Sequence, residues 1–260
     1  TGPHHVEEIR ATEKEFGLKP KTLIEAGYTR LDSIIDSART EESSPSDGQR
    51  VSKRIVLAPS WGEDSVLENH GEELIEILLG TEHDITVRPH MMVIRHREKL
   101  LERLQRKFGA YPNFTLDLNP SSQGRMAQYD LLVADWGGSA LEFAFGLERP
   151  VLFVDVPRKV FNPEYERLSC EPMEVQVRSE IGDVVSPDRL SDVPERISNL
   201  LRDPQQKQKQ IRNARSNWTY NLSASGKVGA EYIKETALKL RDFDPHKDQD
   251  LAVSASELDN

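Results

Sequence analysis

Residues 129–157 read YDLLVADWGGSALEFAFGLERPVLFVDVP, and this stretch decides the fold. Leu131, Leu132 and Val133 form the short apolar run that a strand needs when both of its faces are covered. Asp135-Trp136-Gly137-Gly138-Ser139 follows where such a strand ends. Residues 140–146 then carry Leu141, Ala144 and Phe145 on one side of a helix, and Arg149-Pro150 stops it. Residues 151–154 make a second buried strand, closed by Pro157. Strand, glycine turn, helix, strand is the unit of a parallel α/β sheet, in which ligands bind beyond the carboxyl ends of the strands. Backbone N–H groups at a glycine turn, with the partial positive charge of a helix start, suit a phosphate. A second reading stands beside it: two glycines between a strand and a helix often serve a tight turn alone, and the spacing fits neither a Walker A loop nor a GxGxxG fingerprint.

The same alternation extends outward. Residues 51–58 predict a strand ended by Pro59-Ser60-Trp61-Gly62. Residues 65–79 predict an amphipathic helix with Leu67, Leu74, Ile75, Ile77 and Leu78 as its apolar set. A strand at 84–88 is closed by Pro89-His90, a charged helix covers 97–108, a brief strand 114–116 and a short helix 122–128. Strands alternating with helices predict an α/β doubly wound parallel sheet covered on both faces. Beyond Pro157 the pattern gives a long loop at 162–178 bordering the site, then helices within 187–203, 204–218 and 228–240. Ahead of the sheet come a helix at 4–16, a short strand at 21–26, a turn at 27–30 and another helix from Leu31. The polar run TEESSPSDGQ at 40–49 reads as a linker. The expected organisation is a partial unit at 1–39, a linker at 40–50, the main domain at 51–240 and a frayed acidic tail at 241–260.

Composition narrows the function classes. The 260 residues carry a formal net charge of −10, which argues against nucleic acid as a partner. No apolar run approaches the ~20 residues of a membrane span. The single cysteine, Cys170, excludes an intrachain disulfide and a cysteine-rich metal site. No pair of histidines has ligand spacing with carboxylates, so no metal is expected. His4, His5, His70, His83, His96 and His246 read as solvated or poorly placed. The first residue is Thr and no signal peptide follows, so the expectation is a cytosolic fragment of a longer protein.

Several motifs line up in order: Ala26-Gly27-Tyr28-Thr29-Arg30-Leu31-Asp32, Val56-Leu57-Ala58-Pro59-Ser60-Trp61, Arg88-Pro89-His90, Asp135-Trp136-Gly137-Gly138-Ser139 with Glu142-Phe143, and Arg149-Pro150-Val151-Leu152-Phe153. Together they resemble the CDP-glycerol glycerophosphotransferase family of teichoic-acid and capsule polymerases, over roughly residues 1–240. The resemblance implies a GT-B architecture, two Rossmann-like domains facing a cleft, with this chain supplying the C-terminal, donor-binding domain and the last pieces of the N-terminal one. It implies transfer of a glycerol-phosphate or related polyol-phosphate unit from a CDP-activated donor to a hydroxyl of a cell-wall or capsule polymer or a lipid-linked acceptor. No cofactor beyond that donor is implied. The location it implies is cytoplasmic, at the inner face of the cell membrane. The family's Trp-His-Gly type motif in the N-terminal domain is absent here, which puts half of the active site outside this chain. Where the family often has two hydroxyl residues after the Asp-aromatic pair, this sequence has Gly137 and Gly138, and the hydroxyl comes next on Ser139. Two other functions stay open: a GT-B glycosyltransferase that uses a nucleotide sugar, and a non-catalytic nucleotide-binding module.

The site residues follow from both lines. His90 stands at the sheet's ligand edge; in the family this histidine is essential and lies by the donor phosphates, where an imidazolium would offset developing charge. Arg88 either faces the same cleft or makes a surface ion pair. Asp135 either caps the following turn and helix or binds a ribose or acceptor hydroxyl. Glu142, one helical turn after Ser139, either closes a capping box or binds a ribose hydroxyl. Ser60 and Trp61 either touch phosphate and base or simply pack. Gly137, Gly138 and Ser139 offer backbone N–H groups and one hydroxyl to phosphate. The charge run at 207–215 is either an exposed helix face or a contact for anionic lipid, and Lys227 either reaches a phosphate or is solvated.

Overall fold

The apolar runs become six short strands. The computed structural model describes residues 1–42, 52–119, 126–160, 162 and 164–241. Strands β1 (Arg54–Leu57), β2 (Asp84–Val87), β3 (Phe114–Leu116), β4 (Leu131–Ala134), β5 (Val151–Val154) and β6 (Gly182–Val185) form one sheet in the order β3-β2-β1-β4-β5-β6. All pairs are parallel, with Ile55 opposite Leu131 and Leu132 opposite Val151. Every residue of β4 and β5 is buried, as continuous apolar strands at the centre of a two-sided sheet must be. The strand order reverses between β1 and β4, so the crevice at that switch point is where a ligand is expected.

Alternation along each strand feeds two cores. On one face Ile55, Leu57, Ile85, Val87, Leu131 and Val133 pack with three amphipathic helices. These are α4 (Gly71–Leu79), α6 (Glu98–Phe108) and α10 (Val193–Leu201). On the other face Val56, Leu132, Ala134, Val151 and Phe153 meet α2 (Thr29–Glu42), α7 (Gly138–Leu147), α9 (Arg178–Ile181) and α11 (Pro204–Trp218). Leu31 and Ile35 of α2 belong to this second core, together with Ala140, Phe143 and Ala144 of α7. The 1–39 unit is therefore bound into the domain rather than standing apart from it. The approach is close: a Cβ on Gly146 would sit 2.4 Å from Ile34 Cγ2. α1 (Pro3–Glu15) leans on α11, and α12 (Ser225–Arg241) lies against α2, where Asp32 accepts from the backbone N–H groups of Ser223 and Ser225.

The structure corrects several local expectations. Residues 21–26 form no strand; the segment is exposed, and side chains hold its backbone instead, Lys21 N donating to Glu13 Oε1 at 2.7 Å and Arg10 to the Lys21 carbonyl at 3.0 Å. The helix read at 65–79 is two, α3 (Val66–Asn69) and α4, broken at His70 with φ −129°. A short helix, α5 (Met91–His96), precedes α6. The loop read at 162–178 contains a 3-10 turn at Tyr165–Arg167 and α8 (Met173–Gln176). Strand β6 stands where no strand was expected. α2 runs into the polar 40–49 stretch, whose residues 43–49 lie outside the described residues, as do 120–125 and the tail from 242. Of the helix read at 122–128, only 126–128 is described, as a 3-10 turn.

Gly182 marks why β6 forms. A Cβ there would lie 1.7 Å from the Val151 carbonyl oxygen, at the first pair of the β5–β6 ladder. Gly182→Ala is expected to cost about 3 kcal/mol or more of unfolding free energy. Urea denaturation of the two proteins checks this, and an unchanged midpoint contradicts the close approach.

Candidate functional site

Two loops meet at the switch point, one after β1 and one after β4. Asp135, the first residue beyond β4, is 1% exposed. Its carboxylate accepts from Ser60 N at 2.6 Å and from Val66 N, the first amide of α3, at 2.9 Å. Sequence reading left Asp135 open between a cap and a ligand contact. Here both oxygens are taken by backbone, and the helix that it caps belongs to the other loop rather than to the one that follows it. Arg178 secures the same corner from α9. Its guanidinium, 5% exposed, donates to the Asp135 carbonyl at 3.3 Å and to Asp155 at 2.7 Å, and lies 3.4 Å over the Trp136 ring.

The glycine turn sits on this support. Gly137, Gly138 and Ser139 are exposed, and Gly137 precedes α7 with no side-chain cap. Neither glycine is required by the fold. Gly137 is extended at φ 168°, a Cβ on Gly138 would meet nothing within 4 Å, and a Cβ on Gly137 would meet only Ser139 Oγ at 3.9 Å. The tight-turn reading therefore has no steric basis here. What the missing side chains leave is open space above the first amides of α7, which have no partner within the helix.

His90 lies across the crevice, after β2. It is the N-cap of α5, and its Nδ1 accepts from Met92 N at 3.1 Å. A nitrogen that accepts carries no proton, so the imidazole is neutral with its hydrogen on Nε2. Burial lowers the His90 pKa below 6.5, and the charge of Lys159 lowers it further. In the ligand-free protein both causes favour the neutral imidazole, with Nε2–H as its donor. Trp61, 38% exposed, stacks on His90 with centroids 6.0 Å apart and planes 26° apart. Lys159 stands 3.8 Å over the other ring system of this stack, that of Trp61, and donates to the Trp61 carbonyl at 2.6 Å.

A cleft of about 490 Å³ opens beside these groups, and Arg30, Arg88, His90, Ser139 and Glu142 all line it, with Met92, Phe143 and Leu147 among its apolar walls. Four residues named from sequence thus come together there. Arg88 is not a surface ion pair; its pair with Asp117, at 2.9 Å, is 11% and 14% exposed, and its guanidinium also reaches Met126 Sδ and the Tyr129 ring. Glu142 closes no capping box, because Gly137 and not Ser139 occupies the N-cap. Its carboxylate accepts from Tyr28 Oη at 2.7 Å and pairs with Arg30 at 2.5 Å. Burial first, and then this carboxylate, push the Tyr28 hydroxyl up to about 12. Ser60, Trp61, Asp135, Gly137 and Gly138 flank or support the cleft rather than line it. Lys159, Arg178 and Asp117 carry no sequence expectation, and Tyr28 and Arg30 stand in the first motif without a site role. Arg158-Lys159 directly after the end of β5 was a usable signal, since strand ends point to this edge; Arg178 had none. Among the described residues no three His, Cys, Asp or Glu side chains are grouped to hold a metal ion, and no helix is long and apolar enough to cross a membrane.

The fold can be compared with solved structures. A variant of the wall teichoic acid polymerase TagF soaked with CDPG matches with TM-score 0.51 and 22% identity over 92% of this chain and 56% of that one. A histidine-to-alanine variant of the same polymerase matches with TM-score 0.53 and 20% identity over 92% and 57%. The fold is GT-B. The UDP-GlcNAc 2-epimerase of Methanocaldococcus jannaschii, in complex with UDP-GlcNAc and UDP, matches with TM-score 0.53 and 15% identity over 87% and 58%. At these identities the GT-B likeness is one of fold, and the chain spans 56 to 58% of the length of these three proteins. No family model and no curated protein matches the sequence.

Two measurements probe the GT-B site's frame. Asp135→Ala strands one buried and one half-buried amide and is expected to lose about 2–4 kcal/mol of stability, read by chemical denaturation; a loss under ~1 kcal/mol contradicts the bridge. The His90 ring, followed by NMR, is expected to titrate below 6.5. The unfolded chain then binds the proton more readily than the folded one, so this contribution to stability is complete above pH 6.5 and fades as pH falls through the folded midpoint. Lys159→Ala should move that midpoint part of the way back up, because burial, the larger cause, remains.

Proposed function

We propose that the chain is the donor-binding half of a transferase that moves a glycerol-phosphate or related polyol-phosphate unit from a CDP-activated donor to a hydroxyl of a cell-wall or capsule polymer, free or lipid-linked. One observation carries the reading: the uncapped start of α7 at Ser139 and the neutral imidazole of His90 share one cleft at the switch point of a GT-B sheet. In this proposal the donor diphosphate lies on the exposed amides of Gly138 and Ser139. An acceptor hydroxyl attacks the β-phosphorus, the bond from that phosphorus to the bridging oxygen breaks, and CMP departs with the electron pair. His90 Nε2–H donates to an oxygen of the departing phosphate, while Arg30 and Arg88, already paired with carboxylates, supply field rather than new ion pairs. Trp61 offers a flat apolar surface beside the histidine for the base. The acceptor proton goes to a base supplied by the N-terminal half of the same protein, working at the inner face of the membrane.

A nucleotide-sugar transferase is the second reading, favoured by the equal structural likeness to the UDP-GlcNAc epimerase. A binding module without chemistry is the third. Calorimetry with CDP, CMP and UDP on this chain separates the first two at the level of the nucleotide; CDP is expected to bind and UDP to bind at least about tenfold more weakly. Turnover is measured on the chain joined to its N-terminal half, with CDP-glycerol, CDP-ribitol and UDP-sugars. His90→Ala is expected to lower it about 100-fold or more. His96→Ala, exposed at the end of α5, should change little. Thermal melts of both variants guard against a folding artefact. Near-normal turnover of His90→Ala, or equal damage from His96→Ala, overturns the role given to His90; binding without turnover of any donor supports the module.

A further inference from the structure

At the far end of α7, away from the glycine turn, a second cavity of about 370 Å³ opens. Its lining brings together Arg39, Arg149, Arg212 and Arg215, with Gln208 beside them and one carboxylate, that of Glu148. The chain as a whole is acidic, at a net charge of −10, so this concentration of guanidinium runs against its composition. We propose that the cavity binds a phosphate-class anion, a phosphomonoester or phosphodiester, at a site separate from the donor cleft. The proposal does not depend on the transferase reading.

The geometry is that of an anion site already holding a stand-in. Glu148 follows the last turn of α7 in the left-handed region, at φ 55° and ψ 38°, which side-chain-bearing residues seldom adopt outside special settings. That conformation sets its carboxylate between Arg212, at 2.7 Å, and Arg215, at 2.8 Å. Two guanidiniums converging on one planar anion is also how arginines hold phosphate. Burial alone would raise the Glu148 pKa, but hydrogen bonds from Arg212 and Arg215 outweigh it, and the carboxyl stays below its ordinary value. Arg215 is 9% exposed; one arm of its guanidinium takes the Phe145 carbonyl, and its Nε has no partner among the described residues. Arg149 is fixed from the start of β5 by donating to the carbonyls of Ala127 and Tyr129. Arg39 faces the cavity from α2 and pairs with Asp36 on the rim at 3.6 Å.

The cavity has room for more than a bare phosphate, and it shares Ala38, Ala127 and Leu147 with the donor cleft. The ten residues of α7 between the two ends span about 15 Å. A small phosphomonoester would fill the cavity alone, whereas a phosphodiester chain would continue along the helix. Both carry the same chemistry, and the test separates them.

Calorimetry at low salt, on this chain, uses inorganic phosphate, glycerol 3-phosphate and a short poly(glycerol phosphate). Saturable binding of at least one is expected, weakened about tenfold or more by Arg212→Gln. Glu148→Gln removes the stand-in, so binding should tighten severalfold and added ligand should restore the lost thermal stability. A structural ion-pair cluster predicts the loss of stability without the tighter binding. His90→Ala should leave this binding intact, and Arg212→Gln should leave CDP binding intact, so failure here and failure of the donor reading are seen apart. An oligomer that binds at least tenfold tighter than glycerol 3-phosphate identifies a phosphodiester chain; equal affinities identify a small phosphomonoester. No saturable binding by wild type, no effect of Arg212→Gln, or loss of binding in His90→Ala instead overturns the proposal. Should Glu148→Gln not fold, Arg212→Gln, on the exposed side of α11, carries the test.

Discussion

The buried carboxylate of Asp135 is what the ligand edge of this sheet depends on. Two loops leave the sheet at the switch point in different directions, and parallel strands provide no hydrogen bonds beyond their ends to hold such loops together. Asp135 supplies them, with one oxygen on Ser60 N and the other on Val66 N. Charge-assisted bonds of this kind are about twice as strong as neutral ones. The consequence reaches outward by short steps. Fixing Ser60 fixes Trp61, and Trp61 backs the ring of His90. Arg178 grips the Asp135 carbonyl and presses on Trp136, so the chain emerges from β4 at one angle and the first amides of α7 face the cleft.

Electrostatically the cleft is poised rather than charged. Its two arginines are matched by Asp117 and Glu142. Its histidine is neutral, and Lys159 too has its pKa lowered by burial, with Asp135 opposing. At about 4 Å two unit charges interact by roughly 4 kcal/mol at an effective dielectric of 20. Each arginine–carboxylate pair at such a distance therefore leaves little net charge in the cleft.

How far the sequence could be read depended on whether the determining contact was local. The runs at 131–133 and 151–154 announce buried strands because a doubly covered strand has to be apolar at every position. β6 has half-buried positions at Asp183 and Val184 and follows a helical stretch, so its four residues carry neither continuous apolarity nor alternation. The split of 65–79 at His70 turns on backbone angles that periodicity does not register. Among the site residues, His90, Arg88 and Ser139 were legible because proline and glycine mark strand ends, where parallel sheets put their ligands. The partners that set their chemistry were not. Asp117 for Arg88, Lys159 for His90 and Tyr28 for Glu142 lie 29, 69 and 114 residues away, as the differences of their numbers show, and only the fold brings them together.

The ten-residue helix α7 joins these observations. An isolated helix of that length is marginal in water, so its stability comes from packing. Phe143 and Ala144 enter the core, Gly146 lets α2 approach to contact distance, and Glu142 ties α2's first turn to the helix through Tyr28 and Arg30. Its start is left open toward the donor cleft, and its end is held by Arg212 and Arg215 through Glu148. Residues 28–35 are thus part of what holds the exposed glycine turn in place. A change that loosens α2 from α7 would be felt at the amides of Gly138 and Ser139 before it was felt in the strands, because the strands are fixed by neighbours on both sides and the helix start is fixed only by what lies beneath it.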